Sequence, residues 1–338
     1  MTERVATTLG LYPLPDWAKD ELSDLKGHQK GDLVDGSEGP EIREAYGRVR
    51  EELIDDQREA GLDRIVEGQG RWDDWLAHPL AVHDSVETGG IVRYYDNNNF
   101  YRDPQVVDEL THDGDVAAEL DAATGLLHDD EPLQAVLPGP YTLAELATDE
   151  YYGDDAEFLA AIAEFLAGEA EALPAHETLF LLDPSLVTDP PADDENERVS
   201  DAVDTVANAT DADVVLQSYW GAHEEKTYAH LMDADVDAFG FDFVAGDRDA
   251  HLYNVTEFGT KSDVSLGLVD GQNTAVESAE TVAERIEWVQ DQIPSQTFDT
   301  VYATPNTELA YLPTSTYREK LSVLAEAATI APETEVSA

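Results

Sequence analysis

Short apolar runs recur eight times along this chain of 338 residues, and each is followed by a longer segment whose apolar positions have helical spacing. That alternation is the pattern of a parallel sheet covered by helices. The strand candidates are Thr7–Leu11, Arg64–Glu67, Leu133–Leu137, Leu179–Asp183, Val214–Tyr219, Ala238–Phe243, Val264–Val269 and Thr300–Pro305. Helix candidates between them include Pro40–Ala60, Asp155–Leu173, Glu195–Ala209, Glu224–Met232, Ser278–Gln292 and Thr314–Ala328, several opened by Ser, Thr or Asp at the capping position. Eight strand–helix units in a chain of this length fit a (β/α)8 TIM barrel better than an open doubly wound sheet. No G-x-G-x-x-G or G-x-x-x-x-G-K turn follows a strand, so nucleotide-cradling folds lose their main support.

One barrel domain is expected over 1–331, with a frayed tail over 332–338. Two stretches interrupt the alternation. After the second strand comes RWDDWLAHPLAVHDSVETGGIVRYYDNNNFYRDPQ, whose VETGG turn between apolar residues suggests a hairpin lid over one barrel end. The other is the extension from Tyr12 to Gly39, rich in Gly and Asp.

Acidic residues number 74 against 19 basic ones, a formal charge of −55, while 42% of residues are hydrophobic. Disorder pairs high charge with scarce apolar residues, so this chain folds. A polyanion with scattered basic residues repels nucleic acid and anionic membranes. Its apolar runs fall far short of the roughly 20 residues of a membrane span, and its first residues lack a signal-peptide core, so a cytoplasmic protein is expected. Carboxylates spread over the whole chain imply a halophilic source, since counterions at about 1 M screen their repulsion within about 3 Å. Cysteine is absent, which excludes disulfides, thiolate nucleophiles and thiolate metal sites.

In a barrel of this class the chemistry lies just past the C-terminal end of each strand. The residues there are Tyr12, Glu67 with Gln69, Gly139 with Tyr141, Asp183, Tyr219 with Trp220, Asp242, Asp270 with Asn273, and Asn306 with Glu308. Carboxylates, amides and phenols suit a polar small-molecule ligand, and none is a potent nucleophile. Asp183, closing TLFLLDP, is the candidate catalytic residue, since a carboxyl beside a barrel mouth is open to desolvation; it is equally readable as a cap before Pro184. His223 and His230 share a possible helix face but lack further ligands for a metal. The aromatics of RYYDNNNFYRDP can stack on a flat ligand or close a hairpin over the core, with Asp96 and Asn98 as their polar companions.

Taken in order, TTLGLYPLP, EAGLDRIVEGQ, LPGPYTLAEL, LFLLDPSL, VVLQSYWG, DADVDAFGFDFV, LGLVDGQNTAVESAETVAERI and TPNTELAYLP resemble the strand ends of the cobalamin-independent methionine synthase family nearly end to end. That family's barrels pass a methyl group from methyltetrahydrofolate to the thiol of homocysteine, and its catalytic barrel holds zinc. At the family's H-x-C positions this chain has Gln217 and Tyr219; at its final cysteine it has Thr307. Leu11 replaces the serine of the opening motif, Gln69 the glutamate of H-G-E, and Leu182 with Asp183 stand at Asp–Glu. Such losses resemble the zinc-free amino-terminal barrel of the two-barrel enzyme, as do RYYDNNNFYRDP, SYWG and TPNTELAYLP, although the extension carries no clear R-E-L-K folate-tail segment.

The resemblance implies methyl transfer to homocysteine from methyltetrahydrofolate or a corrinoid donor, together with a separate zinc-bearing barrel, and no zinc in this chain. On this reading Glu67, Gln69, Asp96, Asn98, Tyr141, Tyr219, Asp242 and Asn306 bind the substrate or donor. The rivals are a noncatalytic donor-binding or stabilising subunit and a decarboxylase of the uroporphyrinogen type, which needs a basic floor. The charge itself predicts that the melting temperature climbs steeply between about 0.1 and 3 M KCl, as screening removes self-repulsion; a thermal scan showing no change over that range refutes the halophilic reading.

Overall fold

The computed structural model describes residues 2–23, 37–95, 97–112, 114–294 and 296–331. Among them, eight parallel strands form one curled sheet in the order β1-β11-β10-β9-β8-β7-β5-β2. These are β1 (Glu3–Ala6), β2 (Ile65–Val66), β5 (Leu133–Pro138), β7 (Thr178–Leu182), β8 (Asp213–Gln217), β9 (Ala238–Asp242), β10 (Asp263–Val269) and β11 (Thr300–Pro305). A second sheet joins β3 (Val86–Arg93), β4 (Phe100–Val106) and β6 (Thr148–Asp149). The helices are α1 (Asp16–Ser23), α2 (Pro40–Ala60), α3 (His78–Ala81), α4 (Asp115–Thr124), α5 (Pro140–Glu145), α6 (Asp155–Ala172), α7 (Ser185–Thr188), α8 (Asn196–Ala207), α9 (Glu225–Leu231), α10 (Arg248–Phe258), α11 (Ala279–Gln292) and α12 (Thr314–Thr329). No described helix is long and apolar enough to cross a membrane.

The eight-unit barrel is therefore as expected, with one strand displaced. β1 is Glu3–Ala6, and Thr7–Leu11 forms the turn beyond it, where Gly10 and Leu11 take φ of 72° and 47°. Leu179–Leu182 and Val214–Leu216 are fully buried, as strands between a barrel interior and a helical ring must be. Helices pack over them through buried stripes such as Ile162, Leu166, Val203 and Val206.

The hairpin after the second strand is present, but VETGG lies inside β3 as a bulge between Thr88 and Ile91, and the chain reverses where the Tyr94 N–H reaches the Asn99 carbonyl at 2.9 Å. Its anchor is electrostatic: the Arg102 guanidinium grips the fully buried carboxylate of Asp74, which also accepts the Arg102 backbone N–H at 2.9 Å. α1 occupies part of the extension expected to precede the first helix. The 332–338 tail lies outside the described residues.

The seam between β1 and β2 carries no strand ladder. Side chains take its place. Gln57 of α2 pairs both backbone groups of Val66, accepting from N–H at 2.8 Å and donating to C=O at 2.8 Å. Asp63 does the same for Ala6, accepting its N–H at 2.8 Å while the Asp63 N–H reaches Ala6 C=O at 3.0 Å. Asp63→Ala leaves the fully buried Ala6 N–H unpaired, so a loss of about 1–3 kcal/mol is expected; urea unfolding at constant KCl measures it.

Candidate functional site

At the C-terminal mouth the strand ends converge on one carboxyl. Glu308, past β11, is wholly buried and accepts hydrogen bonds from Tyr219, past β8, and from Tyr94 of the hairpin turn at 3.1 Å. Tyr311 is a third phenol acting on it. Burial raises the Glu308 carboxyl above the ordinary carboxylate range, and the phenols only partly oppose that. Burial and the Glu308 charge in turn hold Tyr94, Tyr219 and Tyr311 well above the usual phenol value, so all three remain donors.

Aromatic rings pack this plug. Trp75 is stacked between Tyr94 and Tyr311, 5.2 Å from each. Tyr94 also meets Tyr95 and Trp220 edge-on at 4.8 and 6.3 Å. Among the described residues, five other than glycine have left-handed φ, namely Leu11, Gln69, Trp75, Tyr95 and Trp220. Trp75 opens a short 3-10 turn and the other four lie in loops at this end of the barrel, where strained backbone aims side chains the regular chain cannot.

Two grooves flank the plug. The larger, about 580 Å³, has Tyr95, Tyr101 and Trp220 in its floor and Arg93, Glu145 and Asp189 on its rim. A smaller one of about 290 Å³ lies beside Tyr12, Gln69, Trp72 and Trp75, with Lys19 at its edge.

Most of the expected site residues form the frame beneath these grooves. Asp183 is fully buried and accepts the N–H groups of Tyr141 and Thr142, at 3.3 and 2.8 Å, that open α5. Burial lifts its carboxyl to about 7 against those bonds. The geometry is that of a cap. Gly139 must stay glycine there, since a Cβ would sit 2.2 Å from the Asp183 carboxylate. Asp242 accepts from Trp220 N–H, Val244 N–H, Ala245 N–H and the Asn306 amide at 2.8 to 3.1 Å, and Asn306 accepts from Gly271 N–H. Glu67 is ion-paired with Arg50 at 2.7 Å. Tyr141 donates to the Asp189 carbonyl at 3.0 Å. Gln69 accepts from Leu11 N–H at 3.0 Å and borders the smaller groove. Asn98 is exposed on the hairpin turn, and Asp96 lies outside the described residues.

The groove wall falls next to these residues: Trp220 beside Tyr219, and Asn97 and Tyr95 beside the hairpin amide and acid. Left-handed φ at Tyr95 and Trp220 turns those rings into the mouth, a feature without a sequence signal in residues other than glycine.

The family's zinc does not fit the groups standing at its ligand positions. Gln217 accepts from Ser265 at 2.7 Å, Tyr219 is bonded to Glu308, and Thr307 donates to the Glu308 carbonyl. Zinc requires thiolate, imidazole or carboxylate donors turned to a common point. Among the described residues no group of three or more His, Asp or Glu is placed to hold a metal. His223 is buried against Ser218 at 3.1 Å with its imidazole neighbour His251 on α10, and burial drops its pKa to about 3.

Residues 83–294 match the family described as cobalamin-independent synthase, N-terminal domain. A methionine synthase of Saccharolobus solfataricus is 23% identical over 97% of this chain and 94% of its own length. One from Sulfurisphaera tokodaii is 23% identical over 93% and 88%. Among solved structures, a B12-independent methionine synthase from Shewanella sp. W3-18-1, in complex with selenomethionine, superposes with a TM-score of 0.71 at 17% identity, covering 96% of each chain. A methyltransferase from Methanosarcina mazei superposes with 0.62 at 12% identity, covering 97% of this chain and 94% of its own.

The buried Glu308 carboxyl gives a pH test with a definite sign. Its folded pKa is raised above the unfolded value of roughly 4.3, so its contribution to stability is greatest below that value and declines as pH rises. Glu308→Gln keeps an acceptor for both phenols and abolishes that decline, and at pH 8 it is expected to be at least as stable as the parent. Glu308→Ala strands two buried phenols and is expected to lose about 2–4 kcal/mol. Urea midpoints from pH 5 to 8 decide; a steeper decline in the glutamine variant refutes the assignment.

Proposed function

Since the chain belongs to the cobalamin-independent synthase family, on the side of its N-terminal domain, we propose that it serves methionine biosynthesis by holding the methyl donor for a separately encoded zinc-bearing barrel. The single observation behind this reading is the tyrosine–carboxyl plug, which fills the strand ends where a catalytic member would activate a thiol, while a groove of about 580 Å³ stays open beside it.

Homocysteine's thiol, with an ordinary pKa of about 8.5, is mostly protonated near neutrality, and the thiolate is the nucleophile. Zinc held by such a partner would lower that pKa. This chain's residues do the complementary work. Tyr95, Tyr101 and Trp220 line the groove for the donor, and the buried plug keeps water out of the barrel interior beneath it. Apposed mouths would then hold donor and thiolate within near-attack distance. Methyltetrahydrofolate and a methylcorrinoid are the donors the family suggests; the groove's volume suits a pterin-sized group better than a corrin macrocycle. A porphyrinogen decarboxylase needs several cations for its substrate's carboxylates, and among the described residues Arg93 is the one cation lining this groove.

Reconstitution tests the reading. The lone chain in high salt is expected to form no methionine from homocysteine with either donor. Added to a zinc-bearing family member from the same genome, it should accelerate that member by about tenfold or more, and Trp220→Leu should lose the effect. Turnover by the lone chain, or indifference of the partner, overturns it.

A further inference from the structure

We propose that the floor of the larger groove delivers a proton to the donor's methylated nitrogen, from Asp183 through the hydroxyls of Thr142, Tyr95 and Ser185; this rests on the donor-holding reading and adds a step to it. Methyltetrahydrofolate carries its methyl group on a tertiary amine nitrogen. Such a nitrogen leaves as a neutral amine only once its lone pair is protonated, because an unprotonated one would have to depart as a strongly basic anion. The lone pair and the methyl group occupy different corners of the nitrogen's tetrahedron. The methyl group can therefore face an apposed barrel while the lone pair faces the groove floor.

A continuous path of hydroxyls leads there. Tyr95 and Ser185 line the groove, with their hydroxyls 2.8 Å apart. Behind them the Tyr95 hydroxyl donates to the Thr142 hydroxyl at 3.4 Å, the longest link, and the Thr142 hydroxyl is bonded in turn to the Asp183 carboxyl. Thr142 also accepts the Ser185 N–H at 2.9 Å, which fixes its oxygen between the two ends of the path. The fold assembles these groups from three places: Thr142 in α5, Asp183 and Ser185 on the turn from β7 into α7, and Tyr95 from the hairpin, aimed by its left-handed φ. Each hydroxyl can accept one proton and pass on another.

The hydroxyls relay the proton and Asp183 supplies it. Burial holds the Tyr95 phenol far above its ordinary value, so it does not ionise near neutrality. Burial also lifts the Asp183 carboxyl to about 7, against its bonds to Thr142 and Tyr141, so at neutral pH it is divided between acid and carboxylate. Glu145 of α5 adds to that rise, the Tyr141 and Tyr95 phenols act with Asp183 from α5 and the hairpin, and Glu308 reaches Tyr95 from the far side. From β8 and its end the neighbours are the uncharged Gln217 and Ser218.

The step balances. Asp183 gives its proton to Thr142, each hydroxyl hands on its own, and the donor nitrogen gains one while Asp183 becomes a carboxylate. The partner-held thiolate then forms an S–C bond to the methyl carbon, the C–N bond breaks, and its pair stays on nitrogen. A neutral thioether and a neutral secondary amine result, and solvent returns a proton to Asp183 once the groove empties.

Methyltetrahydrofolate labelled with heavy nitrogen at the methylated position tests the path on the whole chain in molar KCl, without a partner. Near neutral pH its nitrogen resonance should move towards the protonated position on binding. Asp183→Asn keeps an oxygen for the Tyr141 and Thr142 N–H groups and should bind the donor without that movement; Tyr95→Phe, which keeps the ring and cuts the path, should do the same. In the reconstituted pair, the ratio of parent to Asp183→Asn single-turnover rates cancels the partner's own titration. It should be about 100 at low pH and fall towards one as pH rises through about 7, where the parent loses its proton. A donor that fails to bind, stays unprotonated on the parent, or is protonated equally on Asp183→Asn overturns the inference. A ratio that stays flat with pH while the pair turns over sinks the relay alone. Protonation that depends on Asp183 while the partner ignores this chain sinks the donor-holding reading and leaves the relay standing.

Discussion

Everything at the mouth of this barrel depends on how its two sheet edges are joined. A parallel sheet of eight strands closes only if the backbone groups of its first and last strands find partners, and β2 has just two residues in the ladder. Gln57 and Asp63 supply the missing donors and acceptors from side chains, and Gln69 extends the seam by accepting from Leu11 N–H. An amide is suited to this because it offers a donor and an acceptor with the spacing of a peptide unit. The glutamine in place of the family's H-G-E glutamate thus has a structural use: a neutral acceptor at a buried backbone N–H, with no charge to desolvate.

The same substitution of neutral bonds for metal and charge runs through the mouth. Glu308 is a carboxyl held by phenols, and Tyr219, at the position of a family cysteine, ties the fifth unit of the barrel to the eighth through it. A metal would join those strand ends by coordination; here a hydrogen bond does. The rings that enclose the pair leave no room at the barrel axis, and the open space moves aside to the groove under the hairpin.

Some of the scarce cations are set where burial makes them count. Lys320 is fully buried, bonded to Glu277 and the Ala275 carbonyl at 2.7 Å. Arg50 lies between Glu67 and Glu119, and Arg102 on Asp74 holds the hairpin. These pairs leave the solvent-facing surface with a large excess of carboxylates, whose mutual repulsion salt screens. Internal pairs, shielded from that solvent, are far less sensitive to it.

The sequence by itself determined the barrel, its eight units, the hairpin insertion and which residues stand at the family's zinc-ligand positions. Apolar runs at barrel spacing and the identities of Gln217, Tyr219 and Thr307 are local facts that no packing can alter. It also placed Asp183, Asp242 and Asn306 in the right layer, since strand ends follow from strand positions. Tertiary structure alone decided what those residues do. Asp183 caps α5, and Asp242 with Asn306 braces a turn, because backbone N–H groups distant in sequence close around them. The groove wall passed to Tyr95 and Trp220, one residue away. A reversal of φ at a non-glycine residue redirects a side chain completely, and it is imposed by the packing of the whole mouth rather than by the residue that bears it.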